Sequence, residues 1–416
     1  MTFKLTYSTM FDPPEAMHER FEAALARVRT GLGAAHGHFI NGRDVPWTDH
    51  TTVLCPADKR QVVGRFAKGT ADEVGRAVTA AKQAFPAWRA TPPAERVRLL
   101  RRVAELIEER VYDIGAAMVL EVGKNRMEAL GETQETADFF SGYAAEFEAR
   151  GFYDLRNPDD PLADYRSHNR SVLKPYGVWG VIAPFNFPLS LAGGPTAAAL
   201  VTGNTVVLKG ASVTPWAGRL LTDCLRDAGL PPGVFNYVMG SGEVVGEALI
   251  GHPDLAGITF TGSQEVGMGI YRRMAAGDYP RPCIAEMGGK NPCIVTAKGD
   301  LDRAATGIVR SAFGMGGQKC SALSRVYVEG AVADDLILRL REKMATLRIG
   351  DPCLRENWLG PVITGRAAAD FEDYAAQLNA HGARLLEGGY RLTGGEFAHG
   401  HFVAPALAEA PADHPL

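Results

Sequence analysis

Of the six cysteines in the chain, Cys320 alone stands in unusual surroundings, the run Gly316-Gly317-Gln318-Lys319-Cys320-Ser321. Glycines let a backbone approach another molecule closely, and a lysine beside a thiol favours the nucleophilic thiolate. The competing reading is a small core cysteine. Glu286 follows the strand-like Pro282-Cys283-Ile284-Ala285 and precedes Met287-Gly288-Gly289-Lys290. Burial beside those apolar residues would raise its carboxyl toward the range of a general base; a salt bridge to Lys290 is the plainer alternative. Asn186 lies in Pro184-Phe185-Asn186-Phe187-Pro188, where two prolines stiffen the loop and hold one amide in place. A turn-forming asparagine is the other reading. A nucleophile, a base and a fixed amide are the chemistry these residue types offer.

A second group of residues suits an anion or a hydroxyl-rich ligand. Lys209 ends the apolar run Val206-Val207-Leu208, a costly place for a cation unless its ammonium reaches water or a ligand. Gly240-Ser241-Gly242-Glu243-Val244-Val245-Gly246 is a glycine-rich turn whose spacing differs from the dinucleotide fingerprint. In Phe260-Thr261-Gly262-Ser263 a Gly-Ser pair ends a strand and opens a helix, presenting donors to a pyrophosphate, although Ser263 is also a good plain N-cap.

These positions are useful only if the chain brings strand ends together. From Val178 onward, apolar runs of strand length alternate with helical patterns across Gly- or Pro-bearing turns, the signature of a parallel α/β sheet. Strands are expected at Val178–Ala183, Thr205–Lys209, Phe235–Val238, Gly257–Phe260 and Ile284–Glu286, with helices beginning near Pro215, Glu243, Gln264 and Leu301. A second alternation, Pro292–Val295, Ser324–Val328 and a helix from Asp334, predicts a second α/β domain beyond a junction at Met287-Gly288-Gly289. Upstream, Asn41-Gly42 marks a hairpin turn, and Thr70 with Glu73 has the form of a capping box before Val74, Ala77, Val78 and Ala81. Residues 154–176 are polar and lack helical periodicity, which predicts a protruding hairpin. In an open sheet of this kind, ligands bind at the carboxyl ends of the strands.

Composition narrows the partners. The chain has 416 residues, 46% of them hydrophobic, enough for two or three domains. With 22% charged residues and a net charge of -4 there is no basic nucleic-acid footprint, so a small molecule is the expected partner. The cysteines show neither C-x-x-C pairs nor nearby histidines at ligand spacing, so neither a metal site nor a disulfide framework is expected. Asp12 and Glu15 come early, no cationic stretch leads into an apolar run, and no apolar segment reaches the roughly 20 residues that span a bilayer. A cytoplasmic location follows as an expectation.

Taken in order, Pro184-Phe-Asn186-Phe-Pro188, Leu208-Lys209, Phe260-Thr-Gly-Ser263, Glu286-Met-Gly-Gly-Lys290 and Gly317-Gln-Lys-Cys320 resemble the aldehyde dehydrogenase superfamily, from about Phe39 onward. Glu121-Val-Gly-Lys-Asn125 and Gly317-Gln-Lys-Cys-Ser-Ala322 followed by Ser324-Arg325 look like its pyrroline-5-carboxylate (glutamate semialdehyde) branch. The resemblance implies an aldehyde dehydrogenase-like α/β fold: a Rossmann-type cofactor domain over 1–153 and 177–286, a protruding oligomerisation hairpin over 154–176, and an α/β catalytic domain over 287–416. It implies Cys320 as nucleophile, Asn186 as oxyanion donor and Glu286 as base for thioester hydrolysis. Lys209, Ser212, Gly242, Gly246, Gly262 and Ser263 are the implied cofactor contacts, and Phe187, Ser321 and Glu121 the implied substrate residues. The implied cofactor is NAD, the assembly a homodimer or higher homo-oligomer. Ser212 stands where many NAD-preferring members carry Glu, which opens NADP use. The family's acidic Phe-Gly-Pro motif, substrate-anchoring glycine loop and final strand are not met before Leu416, so the catalytic domain is expected to be incomplete. Rival readings are another semialdehyde dehydrogenase, a silent family member serving as a binding module, and a cysteine hydrolase, for which no His and Asn pair stands in context.

Overall fold

The computed structural model describes residues 5, 13–162, 164–411 and 413–415. Most of the N-terminal stretch read above for a leader, including Asp12, and the terminal Leu416 lie outside the described residues.

Asn41 and Gly42, with φ of 54° and 78°, make the turn between strands His38–Ile40 (β1) and Arg43–Val45 (β2). That hairpin closes one edge of a seven-stranded sheet. The other members are Val178–Ile182 (β3), Thr205–Lys209 (β4), Phe235–Tyr237 (β5), Leu255–Gly262 (β6) and Cys283–Met287 (β7), and the order across the sheet is β7-β6-β3-β4-β5-β1-β2. From β7 to β5 the pairing is parallel, while β1 joins β5 antiparallel. Every residue of β3 and β4 is buried, as unbroken apolar runs in a doubly covered parallel sheet should be. The chain lays β3, β4 and β5 outward in one direction, then places β6 on the far side of β3. The topological switch point, where open α/β sheets bind ligands, is therefore between β3 and β6.

Helices cover both faces. On one face lie Ala71–Ala90 (α1), opened by the Thr70–Glu73 capping box, and later Gln264–Ala275; Val74, Ala77, Val78, Ile270 and Met274 pack there against Val207, Ile258 and Phe260. Against the other face lie Val111–Val122 (α2), Arg126–Ala149 (α3), Ser190–Val201 (α4) and Pro215–Asp227 (α5), in one core with Val181, Val206 and Leu208. The helix Gln264–Ala275 is α6. A second alternation follows: Asn291–Val295 (β8) and Leu323–Val328 (β9) pair in parallel, with Leu301–Phe313 (α7) and Ala333–Ala345 (α8) packed through Ile308, Val309, Leu336 and Leu340. Asp154–Arg156 and Arg170–Val172 form an exposed antiparallel pair in the region expected to be a hairpin.

Most expected boundaries hold to within a residue at each end, and two differ more. The helix expected from Glu243 is instead a π-helical turn, Gly242–Gly246, capped by Ser241 and running into Glu247–Ile250. Strand β6 begins at Leu255, two residues early, because a register shift between Leu255 and Gly257 lets pairing with β3 start sooner.

The α2–α3 joint ties the sheet domain to the second one. Gly123 ends α2 with φ of 83°, and a Cβ there would lie 2.9 Å from Pro361 Cγ. Asn125 Oδ1 caps α3 by accepting from the N–H groups of Met127 and Glu128, while its Nδ2 donates to the Trp358 carbonyl at 2.9 Å. Gly123→Ala is expected to lower unfolding stability by at least ~1 kcal/mol, since an L side chain is strained at this φ and the space is filled. Gly75→Ala, in helical backbone with open space around it, should raise stability by about 0.5–1 kcal/mol. Urea titrations of both variants check the pair; equal effects of one sign would contradict the assignment.

Candidate active site

A cleft of about 980 Å³ opens at the carboxyl ends of β3, β4 and β6, over the switch point. Its size falls within the usual range for small-molecule sites. Asn186, Lys209, Ser212, Gly242, Gly246, Gly262, Ser263 and Cys320 all line it, so eight residues singled out in the sequence meet in one cavity.

Each wall has a local cause. Strand β4 delivers Lys209, whose side chain is 6% exposed and has no ion-pair partner among the described residues. Burial lowers its pKa from 10.5 to about 8. Past Lys209 the chain lines the cleft with Ala211 and Ser212, and the Ser212 hydroxyl donates to the Gly240 carbonyl at 3.0 Å. This bond joins the first loop to the π-helical turn. At the end of β6, Ser263 caps α6 by accepting from the Val266 N–H, so the plain N-cap role is present and the helix N-terminus also faces the cleft. A Cβ at Gly262 would come within 2.5 Å of the Phe260 ring, which keeps bare backbone at that wall.

Cys320 is exposed and follows Met315, Gly316 and Gly317, three consecutive residues with φ of 55°, 64° and 75°. For Met315 that conformation costs about 1 kcal/mol, so surrounding bonds must hold it. Gln318 supplies them: its Nε2 donates to the Met315 carbonyl, its Oε1 accepts from Ile363 N–H, and its carbonyl accepts from Asn186 Nδ2 at 2.8 Å. Asn291 Nδ2 donates to the Cys320 carbonyl at 2.7 Å and to that of Ala322 at 3.0 Å. An amide nitrogen carries two N–H groups, and the Gln318 contact of Asn186 commits one of them. The Cys320 loop is thus tied to the end of β3 through the amide expected to hold an oxyanion.

Behind this loop lies a charged cluster. Lys124 and Glu132 form an ion pair with both side chains fully buried. Burial pushes the Lys124 ammonium below its ordinary range, opposed by Glu132. The same ammonium sits 3.6 Å from the centre of the Phe187 ring, and Glu132 Oε1 accepts from the N–H groups of Leu189 and Ser190 at the start of α4. Lys319 points toward Glu128, 2.9 Å away, with its ammonium 5.8 Å from the Phe187 ring centre. Phe187 therefore packs near two ammonium groups and is not part of the cleft lining. Ser321 is exposed beside Cys320 and is not part of that lining.

Two expectations need correction. Glu121 does not stand near an entrance: it is 1% exposed, and its carboxylate accepts from Trp216 and Ala217 N–H at 2.6 and 3.0 Å, at the start of α5. Burial raises its pKa from 4.5 to about 8, against the pull of those two donors. Glu286 is not buried among its apolar neighbours. Strand alternation turns Cys283, Ala285 and Met287 inward and leaves Ile284 and Glu286 exposed, and Glu286 makes no ion pair with Lys290 among the described residues. Its successors Met287, Gly288 and Gly289 do line the cleft. Sequence reasoning passed over Gln318 as a structural lock, Asn291 and the Lys124–Glu132 pair. The position of Asn291 directly after Gly289-Lys290 was the only local signal for any of them.

Comparison with known proteins matches the site to a family. The model for the aldehyde dehydrogenase family covers residues 46–415. A 1-pyrroline-5-carboxylate dehydrogenase 1 of Halalkalibacterium halodurans is 38% identical over 397 residues, 94% of this chain and 75% of that protein. A 1-pyrroline-5-carboxylate dehydrogenase of Geobacillus kaustophilus is 39% identical over 400 residues, with the same shares of 94% and 75%. Among solved structures, 1-pyrroline-5-carboxylate dehydrogenase from Thermus with bound NAD superposes with a TM-score of 0.90 at 33% identity, covering 100% of this chain and 80% of that one.

The buried lysine yields a stability test. Because its folded pKa of about 8 lies below 10.5, the native state binds fewer protons than the unfolded chain between those values. Stability therefore rises with pH through that window, and below it the full cost of the buried charge is present. Lys209→Met should raise stability near neutral pH by about 2–3 kcal/mol and flatten the rise toward alkaline pH. Urea titration of both proteins across that range checks it; a methionine variant less stable at neutral pH would contradict the cost assigned to this ammonium.

Proposed function

Since the chain belongs to the aldehyde dehydrogenase family, we propose that it oxidises L-glutamate γ-semialdehyde to L-glutamate with NAD, a step of proline degradation. The observation that carries the reading is the single cleft in which Cys320 and Asn186 share a cavity with Lys209 and Ser263. The residues present fit a dinucleotide. Lys209 is a buried cation without a carboxylate partner among the described residues, suited to ribose hydroxyls. Gly262 and Ser263 offer bare backbone and a helix N-terminus to the pyrophosphate, and Gly242 and Gly246 line the same cavity. Ser212 places a hydroxyl where a carboxylate would repel a 2′-phosphate, so NADP is the second cofactor of this reading.

When bound, NAD supplies the hydride acceptor that takes the substrate from the aldehyde to the acid level. The chain does the rest. The Cys320 thiolate attacks the aldehyde carbon, forming a C–S bond while the carbonyl electron pair moves to oxygen; Asn186 Nδ2 and the Cys320 N–H stabilise that oxyanion. After oxidation the acyl group remains as a thioester on Cys320. Glu286 accepts a proton from water as the water attacks the thioester carbon, and the thiolate leaves with the C–S electron pair. The substrate roles of Ser321 and Phe187, carboxylate contact and aromatic wall, rest on the family resemblance, since neither residue lines the cleft.

Self-association belongs to the same reading. Leu155, Leu162, Tyr165 and Val172 on the hairpin are 50%, 66%, 60% and 46% exposed, an apolar surface suited to a second copy of the chain. No helix among the described residues is long and apolar enough to cross a membrane. A cytoplasmic location completes the reading.

Cys320→Ser should abolish aldehyde oxidation while NAD affinity stays within about twofold, whereas Glu286→Gln should give one burst of reduced cofactor and then stall at the thioester. Rapid-quench kinetics with mass spectrometry of the acylated protein reads both; turnover by the serine variant would remove Cys320 as nucleophile. For the substrate, kcat/KM should favour glutamate semialdehyde over propanal or succinate semialdehyde by about ten- to hundredfold, the cost of leaving carboxylate-binding groups unpaired. A preference for propanal would overturn the substrate assignment.

A further inference from the structure

Helix α5 begins in an unusual way. Thr214-Pro215 has the residue types of an N-cap and first helical residue, yet Thr214 makes no side-chain cap, and its hydroxyl is buried without a hydrogen-bond partner among the described residues. The first-turn N–H groups of Trp216 and Ala217 go instead to the two oxygens of Glu121, a residue of α2 that is 95 and 96 positions away in sequence. A second buried group grips the same point from β5. Tyr237 is fully buried, and its hydroxyl donates to the Pro215 carbonyl at 2.8 Å. A Cβ at Gly210 would lie 2.9 Å from that hydroxyl, and one at Gly218 would lie 2.6 Å from the ring, so loop and helix are pressed onto the tyrosine.

The segment so held is the one that faces the cofactor cleft. Between the end of β4 at Lys209 and the start of α5 at Pro215 run only five residues, of which Ala211 and Ser212 line the cavity. Sheet pairing anchors one end of this span, and Glu121 and Tyr237 anchor the other. Thr214 N–H closes the turn onto the Ala211 carbonyl, and Ser212 passes the constraint to Gly240, just ahead of the π-helical turn carrying Gly242 and Gly246. Neither Glu121 nor Tyr237 lines the cleft.

We propose that Glu121 and Tyr237 are positioning residues for dinucleotide binding, which set the Gly210–Thr214 loop by holding the first turn of α5 from behind. The inference rests on the reading of the cleft as the NAD site. Binding at such a site requires polar groups in place before the ligand arrives, and a loop released at one end must be ordered by the ligand itself, which lowers affinity. The effect falls on the cofactor and spares the aldehyde.

The test compares Tyr237→Phe and Glu121→Gln with the unaltered chain, by calorimetric titration with NAD and by steady-state kinetics with each substrate varied. Tyr237→Phe keeps the ring packing and removes one hydrogen bond, so the NAD Kd should rise by about fivefold; Glu121→Gln sets an amide nitrogen, which cannot accept, against one of the two backbone N–H groups and should raise it by about tenfold or more. The aldehyde KM, and kcat at saturating NAD, should stay within about twofold. An unchanged NAD Kd with a lowered melting temperature overturns the proposal, because the two groups would then serve stability alone. A raised aldehyde KM with unchanged NAD affinity also overturns it, in favour of a substrate role for Glu121. Should Glu121→Gln fail to fold, Tyr237→Phe decides by itself. If the unaltered chain binds no NAD, the underlying reading of the cleft fails, an outcome distinct from normal binding by all three proteins.

Discussion

The fully buried pair of Lys124 and Glu132 is the contact on which the geometry of the site rests. Such a pair adds little net stability by itself, since desolvation offsets most of the attraction, but removing one partner leaves a charge stranded in the core at a cost of about 3–5 kcal/mol. Helix α3 and the α2–α3 joint, which carry it, are therefore locked to what the pair touches. Glu132 also accepts from Leu189 and Ser190 N–H, fixing the start of α4, while Lys124 packs its ammonium on Phe187. The loop between β3 and α4, with Asn186 at its centre, hangs from this one interaction.

Helices α2 and α3 repeat the device. Glu132 of α3 serves the N-terminus of α4, and Glu121 of α2 serves that of α5. Both recipients are the crossover helices that follow the two central strands of the sheet. In each case a buried acidic side chain from an added helical layer replaces the local cap and satisfies orphan N–H groups. The layer that looks like packing in sequence fixes the two loops beneath which a dinucleotide would bind.

Elsewhere the site carries strain and exposure. Met315 is held in left-handed backbone, Lys209 has a buried charge with no carboxylate partner among the described residues, and Cys320 and Glu286 are exposed on a loop and a strand end. A reactive thiol must be reachable and a cation must have an unmet need if either is to meet a ligand, so the features least favourable to folding collect around the cleft.

Much of this was legible along the chain because it depends on near neighbours. The Asn41-Gly42 turn, the Thr70–Glu73 capping box, the unbroken apolar strands β3 and β4, and the polar residues at strand ends all follow from backbone preference and periodicity within a few residues. Most of the eight expected residues that meet in the cleft were found from such local signals, since a parallel sheet gathers its strand ends on one edge whatever the side chains, whereas Ser212 came from the family resemblance alone. Partnership between charges was not legible. Glu121 reads as part of a substrate-branch motif until its two N–H donors arrive from about ninety-five residues away, and Lys319 reads as the neighbour of a thiol until Glu128, 191 residues upstream, takes its ammonium. Glu286 reads as a buried base for the same reason. Local sequence sets which conformation a residue favours, but the partner of a buried polar group is whatever the packed core brings within about 3 Å, and only the tertiary structure decides that.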